Sequence, residues 1–285
     1  MNDRQKEMQI LLNELSTEEQ LHFNRLLTAL RHEHKISDDE YSSSQALRFF
    51  RGQNKDPSKA LDTILANIRW RRAQPLEKAR TLDIDQFAFG YAHVKMGFYG
   101  VDYQGHPIRI IQPSNFDPKT VLDRYDEEQR YLFALQYLER NLNVVLPLAT
   151  IHANRYINGI ISIIDLKDLN ITKVLLNFNI ISDYRKHAQE FQENFPEMCS
   201  KTILINANRF VTWVWPLAKW FIRKETRDKF IFLGGNYMPE LLKHTSLDKL
   251  PVSLGGTCEH DINSYPHPLN DELARSIREQ RFRLK

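Results

Sequence analysis

The residues best able to meet a ligand concentrate between positions 194 and 256. Four large aromatics, Trp213, Trp215, Trp220 and Phe221, crowd the run FVTWVWPLAKWFI that begins at Phe210. Such a group either covers a core or meets a lipid. Helical spacing spreads Trp213, Trp220 and Phe221 over more than one face, and Pro216 bends or restarts the helix, so a movable lid competes with a plain core helix. Thr226 and Lys229 stand at the mouth of the apolar run KFIFL with Glu225, Arg227 and Asp228 beside them; a solvated charged turn is the bland alternative. Asn194-Phe195-Pro196-Glu197 precedes the apolar run TILIN and also reads as a capped helix end. Gly234–Gly235 and Gly255–Gly256 could let a backbone approach a phosphate, although they read first as turns.

Bond-making chemistry has little to stand on. The sequence has no G-x-S-x-G elbow, no phosphate-binding G-x-x-x-x-G-K-[ST] loop, no H-E-x-x-H and no G-x-G-x-x-G after a strand. His32 and His34 lie two apart on a helix and point in different directions, so they cannot share a metal. Arg69, Arg71 and Arg72 cluster near a helix C-terminus, where they offset the helix dipole or touch anionic lipid.

Composition narrows the classes further. In 285 residues, 42% hydrophobic and 26% charged, there is enough apolar material for one large domain or two smaller ones. The 39 basic and 36 acidic residues, net +3, are interspersed, which disfavours nucleic acid as a partner. Two distant cysteines, Cys199 and Cys258, support neither a disulfide framework nor a zinc site and fit a reducing cytosol. The charged N-terminus does not resemble a signal peptide, and no segment reaches the roughly 18 apolar residues of a membrane span. The expectation is a cytoplasmic protein whose membrane contact is peripheral.

The elements follow from periodicity and caps. Residues 1–80 read as helix throughout: Ser16 and Glu19 have capping-box spacing, and Asp56 caps a helix that starts at Pro57. From about residue 81 the pattern changes. VDYQGHPI sits in a hairpin with its turn at 103–106, and Tyr131, Leu135, Leu138 and Leu142 share a face of a helix expected over roughly 120–143. SIIDLKDL, TILIN and KFIFL are short, continuously apolar runs separated by helical sequence, the pattern of strands buried on both faces of a parallel sheet. A final amphipathic helix is expected in DELARSIREQRFRLK. The division is therefore a helical lobe at 1–80, an α/β lobe at 81–256 and a tail at 257–285.

Read in order, ALRFFRGQNKDPSKALDTILANIRWRR, VDYQGHPI, SIIDLKDL, the long run from FPEMCSK to MPELL, and LPVSLGG resemble the CRAL-TRIO lipid-binding family over residues 44–256. That family includes phosphatidylinositol/phosphatidylcholine transfer proteins. The resemblance implies a helical lobe packed on an α/β lobe, whose mostly parallel sheet floors an apolar lipid pocket. It implies a mobile gate at about Phe210 to Ile222, with Phe210, Trp213, Trp215, Trp220 and Phe221 at the gate and membrane. For a phosphatidylinositol headgroup it implies Asp102, Glu197, Thr226 and Lys229. The family's basic pair falls on Gln53 and Asn54, so two cationic phosphate partners are missing. Phe98, Ile160 and Ser162 fall in the pocket, Ile160 standing where the phosphatidylcholine site has a hydroxyl. The implied protein is a monomeric carrier with no enzyme activity, no metal and no cofactor, whose ligand is a phospholipid, phosphatidylinositol in first place, collected at a transient membrane surface. A non-transferring sensor that presents lipid to a kinase or trafficking partner is the alternative.

Overall fold

The structure, a computed structural model, describes residues 3–82, 94–114, 116–176, 178–222 and 224–259. Its N-terminal part is helical: α1 (Asp3–Asn13), α2 (Thr17–Thr28), α3 (Ser43–Gly52), α4 (Pro57–Ala73) and α5 (Leu76–Arg80). The caps read from sequence are present. Ser16 and Glu19 close a capping box on α2, Ser42 and Gln45 close another on α3, and the Asp56 side chain accepts from the amides of Ser58 and Lys59. Leu11, Phe23, Leu30, Leu47, Phe50 and Ile64 fill the space between these helices with no exposed surface. Two members of the basic cluster at the end of α4, Arg71 and Arg72, are in ion pairs. Arg71 grips Glu139 with two hydrogen bonds of 2.8 and 2.9 Å, and the more exposed Arg72 meets Glu40.

Strands β1 (Lys95–Val101), β2 (Pro107–Gln112), β3 (Ile160–Asp165), β4 (Cys199–Ile205) and β5 (Phe230–Phe232) form one sheet in sequential order. β1 pairs antiparallel with β2 through the expected hairpin, and β2 to β5 run parallel. Sequential order with right-handed crossovers sends every connecting helix to the same face. The first connection carries α6 (Pro118–Arg124), α7 (Glu127–Arg140) and α8 (Leu146–Ala153), the last two joined by a π-helical turn at Asn141–Val145. The single helix expected over 120–143 is thus two helices. Asp126 adopts an extended backbone and forms a capping box with Gln129, which ends one helix and starts the next. The second connection carries α9 (Ile171–Leu176) and α10 (Phe178–Asn194). The third holds α11 (Asn208–Trp213), α12 (Trp215–Ala218), a 3-10 turn at Lys219–Phe221 and α13 (Lys224–Arg227). The bend expected at Pro216 falls at Val214, one residue before α12.

The opposite face is sealed by the chain after β5. Ile108, Ile110, Ile161, Ile163, Ile203 and Ile205 are at most 2% exposed beneath Leu241, Leu250 and Leu254. Gly256 is required here, since a Cβ at that position would lie 2.0 Å from the Leu250 carbonyl oxygen. The C-terminal helix expected in the tail lies outside the described residues, as does most of the stretch from 81 to 94.

Candidate lipid site

Parallel strands begin at a common edge, so residues far apart in sequence converge there. Asp102 and His106 precede β2, Tyr156 and Asn158 precede β3, Glu197 precedes β4, and Thr226 and Lys229 precede β5. The four headgroup residues inferred from resemblance therefore share one edge of the sheet, but their surroundings differ. Lys229 donates Nζ to the Cys199 carbonyl at 2.6 Å, and its amide donates to the Thr226 carbonyl at 3.1 Å. Glu197 stands two residues before Cys199 with a left-handed backbone (φ 57), and its carboxylate accepts from the Tyr156 hydroxyl. Lys229 is thereby tied to the first residue of β4, two positions after Glu197, and by its backbone to Thr226.

Asp102 is instead the organiser of the β1–β2 turn. Its carboxylate accepts from the amides of Gln104 and His106 at 2.9 and 2.7 Å and lies 3.2 Å from His106 Nδ1. Burial by itself would raise this carboxyl, but the bonds from His106 and Gln104 outweigh it and hold it below the usual carboxylate range. His106 Nε2 continues the chain to Asn158 at 3.1 Å.

The N-terminal helices reach this edge through two arginines that the sequence reading did not single out. Arg48, 2% exposed, donates to the carbonyls of Glu197 and Ile157, both at 3.4 Å. The guanidinium of Arg51 lies 4.3 Å from the centre of the Tyr156 ring, a cation–π contact. Their spacing in LRFFR puts both on one side of α3 but does not say which way that side faces. Gln53 and Asn54 follow directly, Gln53 as the C-cap of α3 and Asn54 in a left-handed conformation (φ 53). Gln53 borders a cleft of about 620 Å³ shared with Phe49, Asp62, Asn67, Trp70 and Pro196. The named walls of that cleft offer amides and a carboxylate rather than cations.

The face under the crossover helices is built unlike its reverse. Paired register places Phe98, Arg109, Ser162, Thr202 and Phe230 in one row across the five strands, and Met96, Ile111, Ile164, Leu204 and Phe232 in the next. Phe98, Ile111, Ile164, Phe230 and Phe232 are only half-buried; Ile111 and Ile164 lie on interior strands and the three phenylalanines on the edge strands β1 and β5. Ile160 and Phe98 pack against Val145, Leu146 and Ala149 at one end of this face. At the other end Trp215 lies over Phe230 and Phe232, with ring centres 5.0 and 4.7 Å away, and Phe210 stacks on Phe232 at 6.5 Å. The pocket residues expected from resemblance, Phe98, Ile160 and Ser162, thus share a face. Sequence reading missed Arg109, Thr202 and Tyr137, because lateral strand neighbours are not written in sequence order.

The aromatic segment divides its side chains between two directions. Phe210 and Trp215 turn toward the sheet, whereas Trp213 and Trp220 are 64% and 74% exposed. Lys219 Nζ sits 5.3 Å from the Trp220 ring centre, pairing a cation with an outward aromatic. Phe221 belongs to the 3-10 turn, and its side chain lies outside what the structure describes. Among the described residues no helix is long and apolar enough to cross a membrane, and no group of three or more His, Cys, Asp or Glu could hold a metal ion.

Residues 91–256 match the CRAL/TRIO domain. The chain is 25% identical over 224 residues to the phosphatidylinositol/phosphatidylcholine transfer protein SFH9 of Arabidopsis thaliana, covering 78% of this chain and 38% of that protein. It is 26% identical over 219 residues to the Sec14 cytosolic factor of Schizosaccharomyces pombe, covering 75% and 74% respectively. The chain spans about two fifths of the length of the plant relatives, as the shares of 38% for SFH9 and 39% for SFH7 show. A crystal structure of Sfh5 superposes with a TM-score of 0.66 at 14% identity, over 95% of this chain and 99% of that one, a likeness of fold.

Proposed function

Because this chain belongs to the CRAL/TRIO domain family, we propose that it binds one membrane lipid against the open face of its sheet and exchanges it between membranes. Phosphatidylinositol is the first candidate. One observation carries the reading: across β2 to β4 the apolar residues of one face of the sheet are at most 2% exposed, while the other face sets half-buried Phe98, Ile111, Ile164, Phe230 and Phe232 around buried Ser162, Thr202 and Leu204, under a segmented aromatic cover. Each buried methylene is worth about 0.8 kcal/mol, so a two-chain lipid leaves a bilayer slowly unless an apolar surface receives its tails. The protein offers that surface, and the hydrogen-bonding groups at the strand edge select the headgroup.

At the edge, Glu197, Thr226 and Lys229 supply an acceptor, a hydroxyl and an ammonium within one short stretch of strand beginnings, a set suited to an inositol ring and its phosphate. Lys229 reaches a lipid phosphate by exchanging its bond to the Cys199 carbonyl for a charged one, which is the stronger of the two. Opening of the segment 208–222 admits the tails, and Trp213 and Trp220 seat in the interfacial region where amphipathic rings are stable. No bond is made or broken, and the protein acts from the cytoplasm as a peripheral visitor to the membrane.

The test is transfer of labelled phosphatidylinositol between vesicles, together with native mass spectrometry of the protein as isolated. Accelerated transfer and a co-purified lipid with an inositol headgroup are expected. Stoichiometric binding without faster transfer would overturn exchange in favour of sensing, and a protein that takes up no lipid from vesicles would overturn the reading altogether.

A further inference from the structure

The cleft beside Gln53 lies at the seam between the N-terminal helices and α10 and shares no lining residue with the open face of the sheet. Its electrostatics are one-sided. Asp62 lines it from α4 and Glu193 from the last turn of α10, and two helices end at it, α3 at Gly52 and α10 at Asn194. A helix C-terminus carries about half a negative charge. No Lys, Arg or His stands among the described lining residues, although the chain as a whole is net +3. The donors of its polar floor are directed into the protein. Asn67 Nδ2 donates to the side-chain and backbone oxygens of Asn194 at 2.8 and 3.2 Å, and Asn194 Nδ2 donates to the Glu190 carbonyl at 2.8 Å. Gln192 Nε2 and the Thr63 hydroxyl likewise donate to the carbonyls of Ala188 and Lys59. Phe49 and Trp70 complete the wall. The Trp70 ring is held in place, since its Nε1 donates to the Glu190 carboxylate at 2.6 Å and it meets Phe195 edge-on with ring centres 5.7 Å apart.

Carboxylates, helix-end carbonyls and a fixed indole face all favour a cation, and a carboxylate bonded to the indole N–H makes that ring face more negative still. A bare metal ion is poorly served, because no group of three or more His, Cys, Asp or Glu converges among the described residues. An organic cation with an apolar stem fits both features, its stem along the aromatic wall and its head at a carboxylate. The cleft is too large for one such group alone: about 620 Å³ falls within the roughly 300–1,000 Å³ of whole-ligand clefts. Its two carboxylates come from different elements, and the exposed Asp62 makes no ion pair among the described residues. An occupant that answers both must carry more than one cation on a connected chain. We propose that this cleft docks a basic peptide segment of a protein partner, whose Lys or Arg side chains lie along Trp70 and Phe49 and pair with Asp62 and Glu193. The docking site uses neither the sheet face nor Glu197, Thr226 and Lys229, so it stands apart from the lipid reading, and neither depends on the other.

The experiment is peptide titration. Fluorescein-labelled tetra-arginine and tetra-glutamate peptides are titrated with the full chain and read by fluorescence polarisation. Wild type is compared with Asp62→Asn, Asp62→Lys and Glu193→Gln, and with Glu259→Gln as a control for an exposed carboxylate elsewhere. Asp62 is exposed on α4, so its variants carry little risk to folding. Saturable binding of tetra-arginine and none of tetra-glutamate is expected. Each neutral variant should raise the dissociation constant about threefold and the charge reversal about tenfold, while Glu259→Gln leaves it unchanged. Added salt should weaken the wild-type complex. Absence of saturable tetra-arginine binding to wild type overturns the proposal without any variant having to fold. A loss in Glu259→Gln equal to that in Asp62→Asn overturns it too, since net charge rather than the cleft would then be at work. Calorimetry with choline chloride checks the occupant: binding of choline that depends on Asp62, with no peptide bound, overturns the peptide in favour of a single ammonium.

Discussion

The two faces of the sheet are made from the same strands, yet across β2 to β4 the apolar residues of one are buried throughout while the other keeps half-buried ones, Ile111 and Ile164, among its buried residues. In β3, Ile161 and Ile163 point to the sealed side at 1% and 2% exposure, while Ile164, between them and the strand end, points to the open side and is only half-buried. The covers explain the contrast. The sealed side lies under a chain segment, 237–258, pinned by its own turns and by the close approach of Gly256 to Leu250. The open side lies under crossover helices that stand on it at both ends, with Phe98 and Ile160 against α8 and Phe230 and Phe232 against Trp215. A tightly covered face contributes stability; a face bridged from its ends keeps surface available to a ligand.

The largest effect should come from testing that contrast directly. Ile203→Ala on the sealed face is expected to cost about 3–4 kcal/mol in urea unfolding, because both the transfer and the cavity contributions apply. Ile164→Ala on the open face should cost less than about 1.5 kcal/mol, since the site is already partly accessible. Equal losses would dissolve the distinction. Next is the support of α7 above the open face. Glu139, 3% exposed, takes Arg71 and Arg80 together, and Glu139→Gln leaves buried positive charge behind; a loss of about 3 kcal/mol is expected by the same measurement.

A smaller structural effect with a larger functional one is expected of the cover. Trp213→Ala combined with Trp220→Ala should leave stability within about 0.5 kcal/mol, because both rings are exposed, and should slow vesicle-to-vesicle transfer and weaken vesicle binding. Unchanged transfer and binding would remove the gate from the account. The smallest effect concerns acid. Asp102 is held below its usual range in the folded state, so its contribution to stability is present above about pH 4 and fades as pH falls through the lowered folded value. Asp102→Asn should flatten that part of the acid limb of a stability–pH curve; an unchanged limb would mean that the turn does not depend on the charge.

Much of the architecture was legible before any coordinates. The Ser16 and Asp56 caps, the hairpin turn after Asp102 and the apolar runs of β3, β4 and β5 are local signals, decided by residues within a few positions of one another. The helix around 120–143 was misread for a local reason too: Asp126 competes for the chain as an N-cap, and an apolar periodicity on either side conceals the break. The candidate edge was reached through resemblance, which named Asp102, Glu197, Thr226 and Lys229 but did not distinguish the turn-bound Asp102 from the other three. Arg48 and Arg51 escaped notice, since nothing in LRFFR says that its arginines turn inward toward Tyr156 rather than out to water.

By itself, then, the sequence determined which segments become helix and strand, that a parallel sheet would form, and that an over-apolar segment would lie near its last strand. Those outcomes follow from hydrogen bonding and periodicity along the chain. Only the tertiary structure decided that the chain after β5 would seal one face and leave the other, that Trp215 would turn in while Trp213 and Trp220 turned out, and that Arg109 would stand between Phe98 and Ser162. The physical reason is that burial and lateral strand register depend on neighbours tens of residues away, brought alongside only when the sheet assembles.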